Sequence, residues 1–267
     1  MSSGLDITRE PSPLNMQVLE AFIYNTSCLA LFSDDVDTIL DLWRQTRIMQ
    51  RIERINPEGP DRIANSPLLS GEYRMYEVVL QVISMHRSAV QTPQDPSKIR
   101  SMVADVYALD LANEARFSRH SYGAISMQTQ HAMREIYRCL SGSLLVCLLA
   151  LQGKSTQKVA AIDNIVSENL QRLIVFPTVP MCLAALIWPL EIFACAIQKQ
   201  ADFEVFEDCL EKFKVFLDPG HRRRLAAVVT AVREMKAGRD NGPLGKRRSG
   251  LLPVGLTLLQ KPGGILS

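Results

Sequence analysis

What the chain lacks narrows its chemistry first. It contains no Gly-x-x-x-x-Gly-Lys-Ser/Thr, no Gly-x-Gly-x-x-Gly, no His-Glu-x-x-His and no Gly-x-Ser-x-Gly, so the common phosphate-cradling, dinucleotide, zinc-protease and serine-hydrolase chemistries have no signature here. No two of its six cysteines, Cys28, Cys139, Cys147, Cys182, Cys195 and Cys209, form a Cys-x-x-Cys. Nearly all of them lie in apolar stretches, where they read as small buried hydrophobes of a reducing compartment. Neither sign of charge dominates: 30 Lys and Arg stand against 28 Asp and Glu, a balance too even for a dedicated nucleic-acid or membrane-surface protein. The N-terminus has neither the basic n-region nor the apolar h-region of a secretory signal, so the Asn25-Thr26-Ser27 sequon is expected to stay unglycosylated. His86, His120, His131 and His221 are too scattered for a metal motif. No catalytic residue, metal ligand or cofactor is therefore assigned.

Long apolar runs are almost as scarce. Leu173 to Ile197 carries one charge, Glu191, over a length that could cross a bilayer. A carboxylate near a bilayer centre costs roughly 2.5 to 3.5 kcal/mol, and Pro177, Pro180 and Pro189 interrupt the run. A buried core helix is the better reading, and no membrane association is expected.

What is present is helical periodicity. Strict apolar alternation of the strand type is hardly found, whereas apolar residues recur every three or four positions through most of the chain. The spacing predicts a first helix with Val18, Leu19, Phe22, Ile23 and Leu29 on its inner stripe. A second, opened by Ser33, Asp34, Asp35 and Asp37 as cap and acidic first turn, runs on through Ile39, Leu42, Trp43, Met49 and Ile52. Pro57, Gly59, Pro60 and Pro67 mark 56–70 as a loop, after which Tyr76, Val79, Leu80 and Ile83 mark a third helix.

Asp95 with Pro96 starts a fourth helix, carried by Ile99, Met102, Val103, Val106 and Leu109. Ala124 to Leu151 is the longest helix expected, apolar all round in its second half and hence central, with Gly153 as its stop. Ser155 caps the next, with Val159, Ile162, Val166, Leu170 and Leu173 inward. Pro180 opens another that Pro189 should bend. Asp202 to Leu217 is amphipathic, and Leu225 to Met235, closed by Gly238, is the last. The expected fold is all-α, a multi-helix orthogonal or bundle-like array with a central apolar helix pair. Residues 1–13 are expected to be a disordered N-terminus, 14–238 one helical domain, and 239–267, dense in Gly and Pro around Lys246-Arg247-Arg248, a disordered basic tail.

Three charged groups have plainer accounts beside a functional one. Asp34-Asp35-Val36-Asp37 suits a hard cation such as Mg²⁺ in an all-helical terpene cyclase, but Thr38 stands where a further carboxylate is needed. The partner run, Asp163-Asn164-Ile165-Val166-Ser167 with Gln171, lacks two carboxylates, and a helix N-terminus accounts for the first cluster. Arg44, Arg47, Arg51 and Arg54 fall at helical spacing and could hold phosphates or an acidic partner; an ordinary solvated face opposite Leu42 and Trp43 is the plainer account. The runs His221 to Arg224 and Lys246 to Arg248 resemble nuclear-import signals, which are weak motifs at this length.

Four stretches carry a resemblance. Asn65-Ser66-Pro67-Leu68-Leu69 followed by Tyr73 and Tyr76, Ile136-Tyr137-Arg138-Cys139-Leu140, Ala185-Leu186-Ile187-Trp188-Pro189-Leu190, and Val232-Arg233-Glu234-Met235 ending at Arg239-Asp240 are similar to segments of the fungal-specific transcription factor domain that follows a six-cysteine zinc cluster. The match runs from about Leu14 to Asp240 and its motifs are structural; Met235 stands in place of the family's tryptophan, and Ala194-Cys195 in place of a Gly-Cys pair. The zinc cluster itself is missing, since Cys28 is the one cysteine near the N-terminus. The resemblance implies a nuclear, transcription-regulator-like domain controlling a fungal secondary-metabolism gene set. It implies action through a zinc-cluster partner or a small effector, without direct sequence-specific reading of DNA. A repurposed helical enzyme of fungal secondary metabolism is the alternative, since fold does not fix function.

Overall fold

A computed structural model describes residues 13–32, 36–57, 71–88, 94–119, 126–152, 155–176 and 185–215. It also describes 59, 62, 63, 65, 66, 69, 217, 219, 220, 222, 223, 225, 226, 229 and 230. Among these residues there are nine α-helices and no strand. In chain order they are α1 (Pro13–Phe32), α2 (Val36–Thr46), α3 (Ile48–Ile55), α4 (Tyr73–Ser88), α5 (Pro96–Arg119), α6 (Met127–Leu151), α7 (Thr156–Ile174), α8 (Ile187–Ala196) and α9 (Gln200–Phe213). No helix among the described residues is long and apolar enough to cross a membrane.

Helix α6 organises the molecule, packing against α4, α5, α7 and α8. From Ala132 to Leu148 every position except Arg134 and Arg138 is buried, as expected of a helix that is apolar around most of its circumference. All ten residues of α8 are buried as well, so α6 and α8 are the central apolar pair. Close approach of α6 to α7 needs Gly142: a Cβ there would lie 2.5 Å from Asn169 Nδ2. Helices α1 to α4 pack on one another and reach the rest through α4, which contacts α5 and α6; α9 lies on α7.

The local signals work where side-chain chemistry closes a helix end. Asp95 Oδ1 accepts the amide of Ser97 at 2.8 Å, Ser126 Oγ that of Thr129 at 3.1 Å, and Ser155 Oγ that of Lys158 at 3.3 Å. Each cap satisfies a donor with no intrahelical partner.

Four expectations need correction. Val18 is 61% exposed whereas Glu20 is fully buried; the inner face of α1 is Met16, Glu20, Ile23 and Ser27, a helical repeat that a search for apolar residues alone misses. The second helix is not continuous, because Arg47 takes a left-handed conformation (φ 49°, ψ 39°) and redirects the chain from α2 into α3. Pro189 does not bend α8. It is the third residue of the helix, where its missing N–H would have had no intrahelical acceptor. The long helix begins at Met127, capped by Ser126, rather than at Ala124. Residues 124 and 125, Ser33 to Asp35, Gly153, Pro180, Phe216, the stretch 231–238 and both proposed terminal segments except Pro13 lie outside the described residues.

Candidate functional site

The break at Arg47 creates a concave surface. Because α3 leaves α2 at an angle, the two helices and α4 enclose two adjoining cavities open to solvent, of about 420 Å³ and 670 Å³, within the size range of ligand sites. They share Met49, Gln50 and Glu77. Leu40, Trp43 and Leu80 form the apolar floor of the first, with Arg44 and Arg47 at its rim; Glu53, Arg54 and Arg74 edge the second. Trp43 is buried, held by its Nε1 donating to Thr26 Oγ1 of α1 at 2.7 Å.

The charges of this groove are unevenly matched. Arg44 pairs with Asp41 at 3.0 Å, both well exposed. Glu53 accepts both guanidinium ends of Arg62, at 2.7 and 2.8 Å, so its charge is already taken. Among the described residues, Arg47, Arg54 and Arg74 have no ion pair or side-chain hydrogen bond. Glu77 alone opposes them. Of the four arginines expected along one helical face, the bend brings Arg44, Arg47 and Arg54 to the groove and Arg51 is not part of its lining. Arg74 comes from α4, and nothing in the sequence links it to them.

Behind the groove lies a buried polar knot that sequence reasoning missed. Arg62, 2% exposed, also donates to the carbonyls of Gly71 at 2.6 Å and Asn56 at 3.1 Å, and its guanidinium sits 4.8 Å from the Tyr73 ring centre. Asn56 Nδ2 donates to Tyr73 Oη at 2.7 Å, and burial pushes the Tyr73 phenol up to about 12. Ser66 Oγ donates to the Glu20 carboxylate and accepts the Gly71 amide at 2.5 Å. Gly71 has φ 77°, and a Cβ there would meet Arg62 Cγ at 2.6 Å, so glycine is required twice over. Tyr137 Oη, inside α6, donates to the Leu69 carbonyl. The signal available was weak: a carboxylate at the i+4 position between Met16 and Ile23, and an arginine in a proline-rich loop.

A second charged assembly joins α5, α6 and α7. Glu135, 6% exposed, receives Arg134 at 3.3 Å, Arg138 at 3.1 Å and Arg172 at 3.5 Å. Arg138 also reaches Glu114, and Arg172 reaches Glu168 at 3.3 Å. Burial raises the Asp110 carboxyl above its ordinary range, partly offset by the nearby Ser141 hydroxyl and Arg138.

The remaining candidates are dispersed. Asp37 is exposed on α2 and Asp163 faces Lys199 at 4.0 Å on α7. Helix α2 packs on α1, α3 and α4, but α7 packs on α6, α8 and α9, so the two partial cyclase motifs belong to different parts of the fold. Ser167 donates to Asp202 at 2.6 Å. His86 Nε2 donates to the Cys147 carbonyl at 2.8 Å, which fixes its tautomer because a carbonyl only accepts. His131 is exposed beside Arg134. Among the described residues no three His, Cys, Asp or Glu converge as a metal site. Cys139, Cys147, Cys195 and Cys209 are buried free thiols, and burial raises each of them, Cys195 to about 12 and Cys209 to about 11. They are poor nucleophiles in the folded protein. His120, His221, Arg224, Cys182, Asp34, Asp35 and Lys246 to Arg248 lie outside the described residues, as does the side chain of Cys28.

Comparison with protein-family models, with curated proteins and with solved structures returns no match.

Proposed function

We propose that this chain is a transcription-regulator-like helical domain that acts by binding a partner or effector and controls a fungal secondary-metabolism gene set without reading DNA itself. The observation that carries the reading is the groove between α2, α3 and α4, where Arg47, Arg54 and Arg74 have no ion pair among the described residues and surround an apolar floor. Its ionisable lining is guanidinium and carboxylate, which suits recognition by charge and shape.

The resemblance supports the same reading at the level of architecture. Ser66, Leu69, Tyr73 and Tyr76, Tyr137, and Trp188 with Pro189 are all buried, and Tyr137 ties the first string to the second through Leu69. Residues shared with such a domain thus serve packing and hydrogen bonding. A partner-binding surface is then supplied by residues outside the shared strings.

Transcript profiling of a deletion strain tests the proposal. The expected result is altered expression of a defined gene set, restored by the wild-type chain and by Arg100→Glu but not by the double variant Arg47→Glu/Arg74→Glu. An unchanged transcript profile on deletion overturns it.

A further inference from the structure

We propose that the α2–α3–α4 groove docks a helical segment of a partner protein that is acidic on its flanks and apolar along one stripe. The inference rests on the partner-binding reading above and gives that partner a chemistry.

The floor and the rim ask for different things. The half-buried Leu40 and Met49, backed by the buried Trp43 and Leu80, give the groove a small apolar surface, which favours burial of aliphatic or aromatic side chains. Arg47 rises on one side and Arg54 and Arg74 edge the other end, and guanidinium groups without carboxylate partners favour Asp and Glu on whatever enters. The two cavities follow α3, whose eight residues extend for about 12 Å at the rise of an α-helix. That is about two turns of a partner helix, longer than one phosphate would use.

Two other occupants fit less well. A nucleic-acid backbone needs a continuous run of positive charge, and Glu77 lies at the junction of both cavities. The chain's own Lys246-Arg247-Arg248 segment carries the same sign as the rim, so charge disfavours it.

Arg47 supplies an independent indication. A left-handed conformation favours glycine or asparagine, either of which would make the bend with less strain. The residue there is a long cation that lines the cavity instead. A strained residue at a concave surface is a functional indication in its own right.

The probe is a fluorescein-labelled synthetic peptide of about four helical turns, with Leu and Phe at every third and fourth position and Asp or Glu elsewhere. It is titrated with the full chain by fluorescence anisotropy. Saturable binding is expected, weakening as salt is raised and falling about tenfold in Arg47→Glu/Arg74→Glu. Arg47→Gly keeps the bend and removes only the cation, so it should weaken binding several-fold while circular dichroism stays that of the parent. Arg100→Glu, on the exposed surface of α5, should bind as the parent does.

The proposal is overturned by absence of binding, or by equal binding to parent and double variant. It is also overturned if an acidic peptide with Ser in place of every Leu and Phe binds equally well, or if duplex DNA of equal charge binds more tightly than the peptide. None of these outcomes alters the transcript profile of a deletion strain, so this proposal and the regulatory reading fail separately.

Discussion

Two populations of arginine divide the molecule. On the α5–α6–α7 side, Arg134, Arg138 and Arg172 are each committed to carboxylates, and all three meet at Glu135; Arg62 and Arg116 are likewise fastened, to Glu53 at 2.7 Å and to Glu72 at 3.2 Å. Around the α2–α3–α4 groove, Arg47, Arg54 and Arg74 have no such commitment among the described residues. The residue type is the same and the consequence opposite. A guanidinium whose donors are satisfied internally holds helices together, whereas one left in solvent beside an apolar trough keeps its donors for a visitor.

The comparison breaks most visibly at Arg62. Arg62→Met should destabilise the protein by about 3 kcal/mol, because the carbonyls of Gly71 and Asn56 lose a buried donor and Glu53 its partner. Arg54→Met, in the unpaired set, should change stability by less than about 0.5 kcal/mol. Urea unfolding midpoints measure both, and similar losses for the two would erase the distinction. Next is Glu135→Gln, which removes the buried carboxylate that three arginines share and leaves them only Glu114 and Glu168. A cost of about 1 to 2 kcal/mol is expected, moderated because each arginine is about a third exposed and partly screened.

The unpaired set should behave in the reverse sense. Arg47→Gly removes left-handed strain and is expected to raise stability by up to about 1 kcal/mol, the gain being limited by the added freedom of the unfolded chain, while it weakens peptide binding. A fall in stability would mean that Arg47 has a structural partner after all. The smallest effect concerns Asp110. Its carboxyl is raised in the folded state, so the native protein holds that proton more tightly than the unfolded chain; the stability this confers is present in acid and is lost as pH rises through the raised value. Asp110→Asn should therefore match the parent in acid and exceed it at neutral pH, as read by melting temperatures at the two conditions.

Legibility followed the range of the interaction involved. Caps at Asp95, Ser126 and Ser155 are made within three residues, and the first and third of them could be read directly from the sequence. The apolar character of α6 and α8 likewise announced a central pair. Glu20 could not be read as a core residue, because its acceptors are matched by Ser66 and by the amide of Leu69, more than forty positions away. The bend at Arg47 was hidden for a different reason: buried apolar residues stand on both sides of it, Trp43 before and Ile48 and Ile52 after, and nothing about an arginine signals a left-handed residue.

By itself the sequence determined that the chain would be helical, where α5 and α7 would start, and that α6 would be central, since these depend on neighbours a few positions apart. Which charges would be consumed and which left free was decided only by tertiary structure. Pairing depends on distance in space, and the fold brought Arg62 to Glu53, and Arg172 to Glu135, while carrying Arg74 to the edge of a groove where, among the described residues, it forms no ion pair.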